Sequence, residues 1–306
     1  MYNAELKERY IEEKSKEVVV PEYYLNNKFK NISVAEKEYG KDASNFTKSE
    51  IIEYYKSLNV HSFESLTVIN STYSQYTQWC LQQNLVVDNQ NHYLEIDTDT
   101  ILSCLNKAVM KLKIVSRETI LEWIKPLANP KDQFVILGLF EGIYGDNFCE
   151  LVNLRPEDVD GNTLHLCTGR SIEVSDTLIS IIDDCIKETN LYLGDNAAPR
   201  VVPAVYNGYV IKDHPKSSDN TSAFGKGRRI YTSISKILKS LDAYSYMNAK
   251  DIIESGKIHM ILEKAKEYNM SPKDYLYSPH LKEVEERFNC FIVKSVYMKK
   301  YSDYLV

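Results

Sequence analysis

The sequence predicts a mainly α-helical protein of two domains, with one small β-hairpin in the second domain. The chain has 306 residues, which is enough for two separate hydrophobic cores. Apolar residues recur at helical spacing through most of it, as in the segment 51–58. Two short runs, 163–167 and 171–174, flank Thr168-Gly169-Arg170, and this arrangement is typical of a hairpin. We therefore expect helices throughout and a small antiparallel sheet.

Residues 1–112 are predicted to form an all-helical first domain. Charged helices are expected near the N-terminus and over 28–40. Thr47 is followed three residues later by Glu50, which predicts a capping box and a helix from about residue 48. Ser62 and Ser65 are the two candidate caps of the next piece, and further helices are expected over 71–85 and 99–112. Aromatic residues on the 71–85 helix recur on or near one face, and we expect this face to be core and not a platform for nucleic-acid bases.

Residues 113–306 are predicted to form the second domain, after a linker at 112–117. Ser116 is expected to cap a helix that stops at Pro126. The segment 134–161 then predicts a buried helix, a glycine-containing bend, a second short helix and entry into a strand. Ser175 is expected to cap the helix that follows the hairpin.

The rest of the second domain begins with a long polar region over 190–227. A basic helix is expected at about 228–241. Further helices are expected at about 248–267, 272–277 and 280–304. The fold class is therefore mainly α with a small β-hairpin.

The charge distribution is more informative than the net charge of −6. Residues 206–240 contain seven basic and two acidic residues, and residues 101–131 contain six basic and two acidic residues. Either stretch taken alone is most simply a solvated face of the protein, and a nucleic-acid surface is the alternative. The polar N-terminus indicates no signal peptide, and no apolar run approaches the roughly 20 residues that span a membrane. A cytoplasmic protein is expected.

The chain shows no pattern for a metal or a bound cofactor. Its six cysteines are scattered singly without a CxxC motif, so we expect reduced thiols. The six histidines show neither HExxH spacing nor a His/Cys cluster. The segment Gly225–Arg229 lacks the register of a phosphate-binding P-loop.

The segment 134–161 resembles the first catalytic box of the tyrosine recombinase (phage integrase) family. That box reads Gly-x-Arg-x-x-Glu-Leu, and Gly145, Glu150 and Leu151 match it. The position of the family's first catalytic arginine holds Asn147. The first domain likewise resembles the DNA-clamping N-terminal domain of this family. The resemblance implies the two-domain recombinase architecture without the first phosphate clamp.

The other catalytic positions of the family are also changed. The resemblance places Arg170 at the hairpin lysine. The second box, His-x-x-Arg-His-Thr, aligns with a segment in which Lys250 replaces the first histidine and Ile253 replaces the arginine. Tyr297 and Tyr301 both fit the position of the nucleophilic tyrosine. Developing charge on phosphorus needs fixed bidentate cations, so the resemblance implies a protein without catalytic activity.

The chain looks most like the integrase-like lysogeny repressors of SPβ-type Bacillus phages. This resemblance implies a sequence-specific transcriptional repressor that binds double-stranded operator DNA and maintains a prophage in its bacterial host cell. Two alternatives stay open: an active recombinase with displaced catalytic residues, and an interaction module that does not bind DNA. Besides DNA, an antirepressor or a second copy of the chain is left open as a partner.

The predicted DNA contacts lie in both domains. The second domain offers basic side chains for phosphates and bases. These are Lys226, Arg228, Arg229, Lys236 and Lys239 of the basic helix, together with Arg170 and Lys250. The predicted contacts of the first domain are Ser71, Thr72, Gln75 and Lys107.

Overall fold

The computed structural model describes residues 1–17, 22–60, 62–194, 200–215, 223–243 and 246–305. The chain divides into two compact units, Met1–Met110 and Lys111–Val306. This boundary lies two residues before the predicted one. Among the described residues, none of the helices is both long and apolar enough to cross a membrane.

Six helices are described before residue 113. They are α1 (Ala4–Glu17), α2 (Glu22–Tyr39), α3 (Lys48–Ser57), α4 (Phe63–Gln82), α5 (Thr98–Ser103) and α6 (Lys107–Leu112). The predicted capping box is present at α3, where the Glu50 N–H donates to Thr47 Oγ1 (3.4 Å) and the Thr47 N–H donates to the Glu50 carboxylate (2.7 Å). These two bonds satisfy backbone donors that the first turn of a helix leaves open.

Two predicted helix boundaries in this unit were wrong. Helix α4 begins at Phe63 and not near Ser71, because Ser62, one of the two candidate caps, accepts the Ser65 N–H at 3.3 Å. Leu66 and Ile69 continue its buried face toward the N-terminus. The single helix expected at 99–112 is two helices, since Asn106 accepts the Val109 N–H (3.2 Å) and starts α6 anew.

The core of the first unit is largely aromatic. Tyr10, Phe29, Tyr73 and Tyr76 are buried, and the rings of Phe29 and Tyr76 lie 4.9 Å apart in an edge-to-face arrangement. Such pairs add stabilisation beyond the area that they bury. The aromatic face of α4 is therefore core, as expected, although Trp79 at its end is only half-buried.

A buried ion cluster joins α1, α2 and α4. Lys7 and Glu36 are fully buried and form an ion pair, and Lys7 Nζ lies 3.5 Å from Asp42 Oδ2. Glu36 also accepts the Ala43 N–H at 2.8 Å, and the Tyr76 hydroxyl donates to Asp42 at 3.2 Å. Buried charges need this kind of pairing, so Lys7 is central to the packing of this unit.

The second unit is mainly helical with two small antiparallel sheets, β1-β2-β3 and β4-β5. Its strands are β1 (Val159–Asp160), β2 (Thr163–His165), β3 (Ser171–Glu173), β4 (Asn190–Leu193) and β5 (Arg200–Pro203). Its helices are α7 (Arg117–Ile124), α8 (Pro130–Phe140), α9 (Cys149–Val152), α10 (Asp176–Lys187), α11 (Ala223–Ser240), α12 (Ala249–Glu267), α13 (Pro272–Tyr277), α14 (Lys282–Arg287), α15 (Lys294–Lys300) and α16 (Ser302–Leu305).

Helix α8 is the centre of this unit. Every residue from Phe134 to Phe140 is buried, and α7, α10, α11 and α12 pack around the helix. The predicted buried helix, bend, short helix and strand entry are all present, and so is the predicted hairpin, with Leu164 opposite Ile172. Residues 134–140 are surrounded by other helices on all sides, which explains why this part of α8 contains no polar side chain.

Three expectations for the second unit were wrong. The polar region 190–227 contains the β4–β5 hairpin, in which buried Leu191 pairs with Val202. Helix α11 begins at Ala223, five residues before its predicted start. The helix expected at 280–304 is α14, α15 and α16, because the chain leaves helical geometry at Asn289, whose φ is 41°.

Helix α12 crosses α8 at Gly256, so Gly256→Ala is expected to destabilise the protein. A Cβ there would lie 1.8 Å from the carbonyl oxygen of Phe140, so the two helices would have to separate. We expect a loss of about 3 kcal/mol in the free energy of unfolding, measured by urea denaturation. Lys266→Ala, at an exposed site on the same helix, is the control; equal stability of both variants would contradict the close crossing.

Candidate nucleic-acid interface

Asn147 lies in a tight turn against α11. Asn147 and Phe148 both have left-handed backbone angles, with φ of 52° and 59°, and asparagine tolerates this conformation better than most residues. The Asn147 side chain is exposed, while its carbonyl oxygen would lie 2.2 Å from a Cβ on Gly227. The position of the family's first arginine is thus a neutral turn residue that fixes the approach of α11.

Glu150 is held by Arg170. The Arg170 Nε–H donates to Glu150 Oε1 at 2.6 Å, and Thr168 Oγ1 donates to the same oxygen at 2.6 Å. Burial alone would raise the pKa of Glu150, but the hydrogen bonds from Arg170 and Thr168 lower it. The carboxylate is therefore a charged partner inside the protein.

The remaining donors of Arg170 also point inward. They bind the carbonyl oxygens of Arg287 (2.5 Å) and Gly142 (2.6 Å). Arg170 thereby joins the β2–β3 hairpin to the bend after α8 and to the end of α14. Because these donors are already engaged within the protein, Arg170 is a poor candidate for contacting DNA. This pairing could not be predicted from local sequence, because Glu150 and Arg170 lie 20 residues apart.

The segment aligned with the second catalytic box lies on α12. Lys250 is exposed in the first turn of the helix, after its cap Asn248. Ile253 and Glu254 are buried, and Glu254 forms an ion pair with Lys257 at 2.9 Å. The place of the second arginine is thus occupied by an apolar side chain beside an acid. Neither would hold a phosphate.

Tyr297 and Tyr301 are both buried in α15 and at its end, with ring centroids 4.7 Å apart. The Tyr301 hydroxyl donates to Glu254 at 3.4 Å. Burial, together with the nearby Glu254 carboxylate, raises the pKa of Tyr297 well above its usual value. A buried phenol that resists ionisation is a poor nucleophile.

Helix α11 presents one basic face to solvent. We call it the α11 face, and it consists of Arg228, Thr232, Ser235, Lys236 and Lys239. The five residues follow the spacing that aligns side chains on one side of a helix. Arg228, Thr232, Lys236 and Lys239 are exposed, and α11 has no acidic residue. Thr232 and Ser235 were not among the predicted DNA contacts, although their spacing from Arg228 places them on the same face.

Arg229 and Lys226 lie at the side of the α11 face. Arg229 forms an ion pair with Asp213 at 3.1 Å, and Lys226 Nζ lies 4.2 Å from the ring centroid of Tyr209. Both cations are therefore partly engaged within the protein. Ile230, Ile234, Ile237 and Leu238 form the buried side of the helix, as its spacing predicted.

In the first unit, the predicted contacts lie on α4 and α6. Ser71 and Gln75 are exposed on one side of α4, where Gln75 Nε2 donates to Ser71 Oγ at 3.3 Å, and Thr72 is half-buried beside them. Lys107 is exposed at the start of α6. The neutral side chains on α4 suit hydrogen bonds to phosphates and base edges, and Lys107 offers a cation for a phosphate. Whether any of them touches DNA stays a prediction.

Within the described residues, no group of three or more His, Cys, Asp and Glu side chains is placed to hold a metal ion. All six cysteines are free thiols.

The comparisons with known proteins agree with this architecture. Residues 1–82 match the family described as "MrpR, N-terminal core-binding domain", and residues 114–305 match "MrpR, C-terminal catalytic domain". The chain belongs to the MrpR family. The predicted fold class, a two-domain tyrosine recombinase-like architecture, is thereby confirmed.

One curated relative is the SPbeta prophage-derived uncharacterized protein YopR of Bacillus subtilis (strain 168). It is 26% identical to this chain over 322 residues, and the match covers all of this chain and 94% of the relative. This MrpR family protein is therefore similar to a prophage-derived protein over its whole length.

Proposed function

We propose that this MrpR family protein is a non-catalytic DNA-binding regulator, which represses transcription by occupying double-stranded operator DNA. One observation carries the proposal. The two positions that would clamp a scissile phosphate hold Asn147 and Ile253, whereas the α11 face keeps a row of exposed cations. The recombinase architecture thus retains a means of holding DNA without the means of cutting it.

The changes at the catalytic positions argue against strand cleavage on energetic grounds. Removing one preorganised donor to a developing negative charge costs about 10²–10³ in rate. Two donors are replaced here, and Glu254 adds a buried carboxylate beside one of them. Tyr297 and Tyr301 are also buried. Together these features favour a protein that is not an enzyme.

The charge distribution supports reversible DNA binding. Arg228, Lys236 and Lys239 are exposed on one helix face without an acidic neighbour on the same helix. Such a face favours phosphate contacts through the release of counterions. The net charge of −6 over the whole chain opposes non-specific adsorption to DNA, which suits a regulator of few sites.

The prophage-derived relative supports a role in lysogeny. In this proposal the protein keeps prophage genes silent in the bacterial cytoplasm. Relief of repression then needs a signal that lowers operator occupancy, for example an antirepressor or a change in self-association.

A mobility-shift screen against fragments of the source genome, with competitor DNA, tests the proposal. Retention of a few fragments is expected, and every complex should dissociate when the gel is run again under denaturing conditions. Tyr297→Phe and Tyr301→Phe should each leave retention unchanged. A band that survives denaturation and disappears in a tyrosine variant would instead identify an active recombinase. Absence of any retained fragment would favour the interaction module.

A further inference from the structure

A pocket of about 130 Å³ lies beside α11 in the second unit. Its apolar wall is formed by Val135 of α8, Val152 of α9 and Ile230 of α11, together with Ile211, which precedes α11 in the chain. An apolar protein cavity of about 150 Å³ can hold benzene, so this pocket has room for a ligand of similar size.

Four cations line the same pocket: Lys131, Lys212, Lys226 and Arg229. Two acids, Asp132 and Asp213, also line it. The lysines and the arginine outnumber the acids, so the pocket carries a positive charge next to an apolar wall.

Both acids are held by neighbours. Asp132 accepts hydrogen bonds from Ser233 Oγ at 2.7 Å and from Asn129 Nδ2 at 3.0 Å. Asp213 accepts from Asn207 Nδ2 at 2.9 Å, in addition to its ion pair with Arg229. Asp213 therefore offsets part of the charge of Arg229, whereas the hydrogen bonds of Asp132 come from neutral side chains.

Lys212 is the decisive residue. Its side chain is 91% buried, since 9% stays exposed, and its Nζ donates to the carbonyl oxygens of Ile186 (2.7 Å) and Glu188 at the end of α10. Within the described part of the chain it makes no ion pair with a carboxylate. A buried ammonium normally has a counter-charge, so Lys212 leaves an anion-binding capacity unfilled.

The acid near Lys212 and Lys131 does not supply this counter-charge fully. Both carboxylate oxygens of Glu188 are buried without a hydrogen-bond partner within the described residues. Burial raises the pKa of Glu188 to about 7, even though Lys131 and Lys212 act to lower it. At neutral pH a large share of this side chain is therefore uncharged.

We propose that this pocket binds a small organic anion, in which a carboxylate approaches Lys212 and Lys131 and an apolar body packs against Val135, Val152 and Ile230. The apolar wall and the buried ammonium together select such a ligand over a bare inorganic anion or a neutral hydrocarbon. The site itself does not depend on DNA binding.

A second consequence rests on the proposed function. Lys226 and Arg229 line the pocket and are also predicted to contact DNA. A bound anion adds negative charge beside them, so it should weaken binding to operator DNA. The ligand would then connect the state of the cell to the occupancy of the operator.

Titration calorimetry of the full-length protein tests the site with three probes: benzoate, benzyl alcohol and inorganic phosphate. Benzoate should bind, and the other two should bind about tenfold more weakly or not at all. Benzyl alcohol lacks the carboxylate that would approach Lys212, and phosphate lacks the apolar body that would pack against the wall. Equal binding of phosphate and benzoate would overturn the proposal, and so would absence of benzoate binding.

Two charge variants and a matched control locate the binding site. Lys212→Met and Lys131→Gln should each weaken benzoate binding, by about tenfold for Lys212→Met, while the exposed Lys187→Gln should leave it unchanged. Should Lys212→Met fail to fold, Lys131→Gln and the pocket-narrowing Ile211→Phe decide the matter. Unchanged benzoate binding in both Lys131→Gln and Ile211→Phe would show that benzoate does not bind in this pocket.

The effect on DNA is measured separately, by fluorescence polarisation of a retained fragment with and without benzoate. Weaker DNA binding in benzoate, absent in Lys131→Gln, supports the coupling between pocket and operator. Unchanged DNA affinity in the presence of bound benzoate overturns that coupling. If the protein retains no DNA at all, the proposed function fails, whereas calorimetry with benzoate still judges the pocket.

Discussion

Replacing Lys7 by alanine is expected to destabilise the first unit by about 3–5 kcal/mol, the usual result of removing one partner of a buried ion pair. Lys7 and Glu36 are both fully buried, and one oxygen of Glu36 already lacks a hydrogen-bond partner within the described residues. The variant would leave that carboxylate, together with Asp42, without its cation. Because net stabilities are usually 5–15 kcal/mol, such a loss is a large part of the total.

The measurement is urea-induced unfolding, monitored through the fluorescence of Trp79. Trp79 packs against Tyr10 in the first unit, with 5.5 Å between ring centroids, and a Trp123→Phe background removes the other tryptophan. Lys16→Ala is the matched control on the same helix, because its ion pair with Glu12 is exposed, and it should cost less than about 1 kcal/mol. Similar losses in the two variants would show that the buried cluster is unimportant.

The loss should also depend on pH. Burial raises the pKa of Glu36 even with Lys7 beside it, and without Lys7 the pKa should rise further. A carboxyl group with a raised pKa binds its proton more tightly in the folded protein than in the unfolded chain. Stability is therefore lost as pH rises from the unfolded pKa toward the folded one. Lys7→Ala should accordingly be less destabilised at pH 5 than at pH 8.

The structural features that the sequence predicted well are those with local signals. The caps at Thr47, Ser116 and Ser175 are present, and each accepts a backbone N–H from within the first turn of its helix. Helix α12 was predicted to within one residue at its start, where Asn248 and Asp251 form a capping box. Signals of this kind involve residues three apart, so they act before any tertiary contact forms.

The features that the sequence did not predict depend on distant partners. Lys7 and Glu36 are 29 residues apart, and Arg170 and Glu150 are 20 apart, so neither pair leaves a mark on local composition. The β4–β5 hairpin was missed because its strands are short and mostly exposed. Its pairing is stabilised by neighbours rather than by a continuous apolar pattern.

The candidate site shows the same division. The positions of Asn147, Lys250 and Ile253 follow from motif spacing, but the sequence does not reveal that Ile253 and Tyr297 are buried. Arg170 was predicted to face DNA from its position on the hairpin, and its donors instead point into the protein. Which way a side chain points is decided by packing, and the spacing of residues does not determine it.

Reversing two charges on the α11 face should weaken DNA binding by about 100-fold, since each reversal removes a phosphate contact and adds a repulsion. The variant is Arg228→Glu with Lys236→Glu. Both residues are exposed on the same side of α11, eight positions apart. Arg229 is a weaker choice, because Asp213 already neutralises part of its charge at 3.1 Å.

The salt dependence distinguishes a direct contact from a general change in charge. Each lost phosphate contact should reduce the magnitude of the negative slope of log affinity against log salt concentration by about 0.9. The slope of the double variant should therefore be shallower by about 1.8. Lys273→Glu with Lys282→Glu is the matched control, since it changes the net charge equally at exposed positions on α13 and α14.

Fluorescence polarisation over a series of salt concentrations compares the three proteins, and circular dichroism confirms that all are folded. If α11 binds DNA, only the α11 variant should show a lower affinity and a shallower salt dependence. The affinity of the control should stay within about threefold of that of the parent protein. An equal loss in both variants would mean that net charge, and not this helix, governs binding. Retained affinity in the α11 variant would remove the helix from the interface and shift the search to Lys250 and to the polar side of α4.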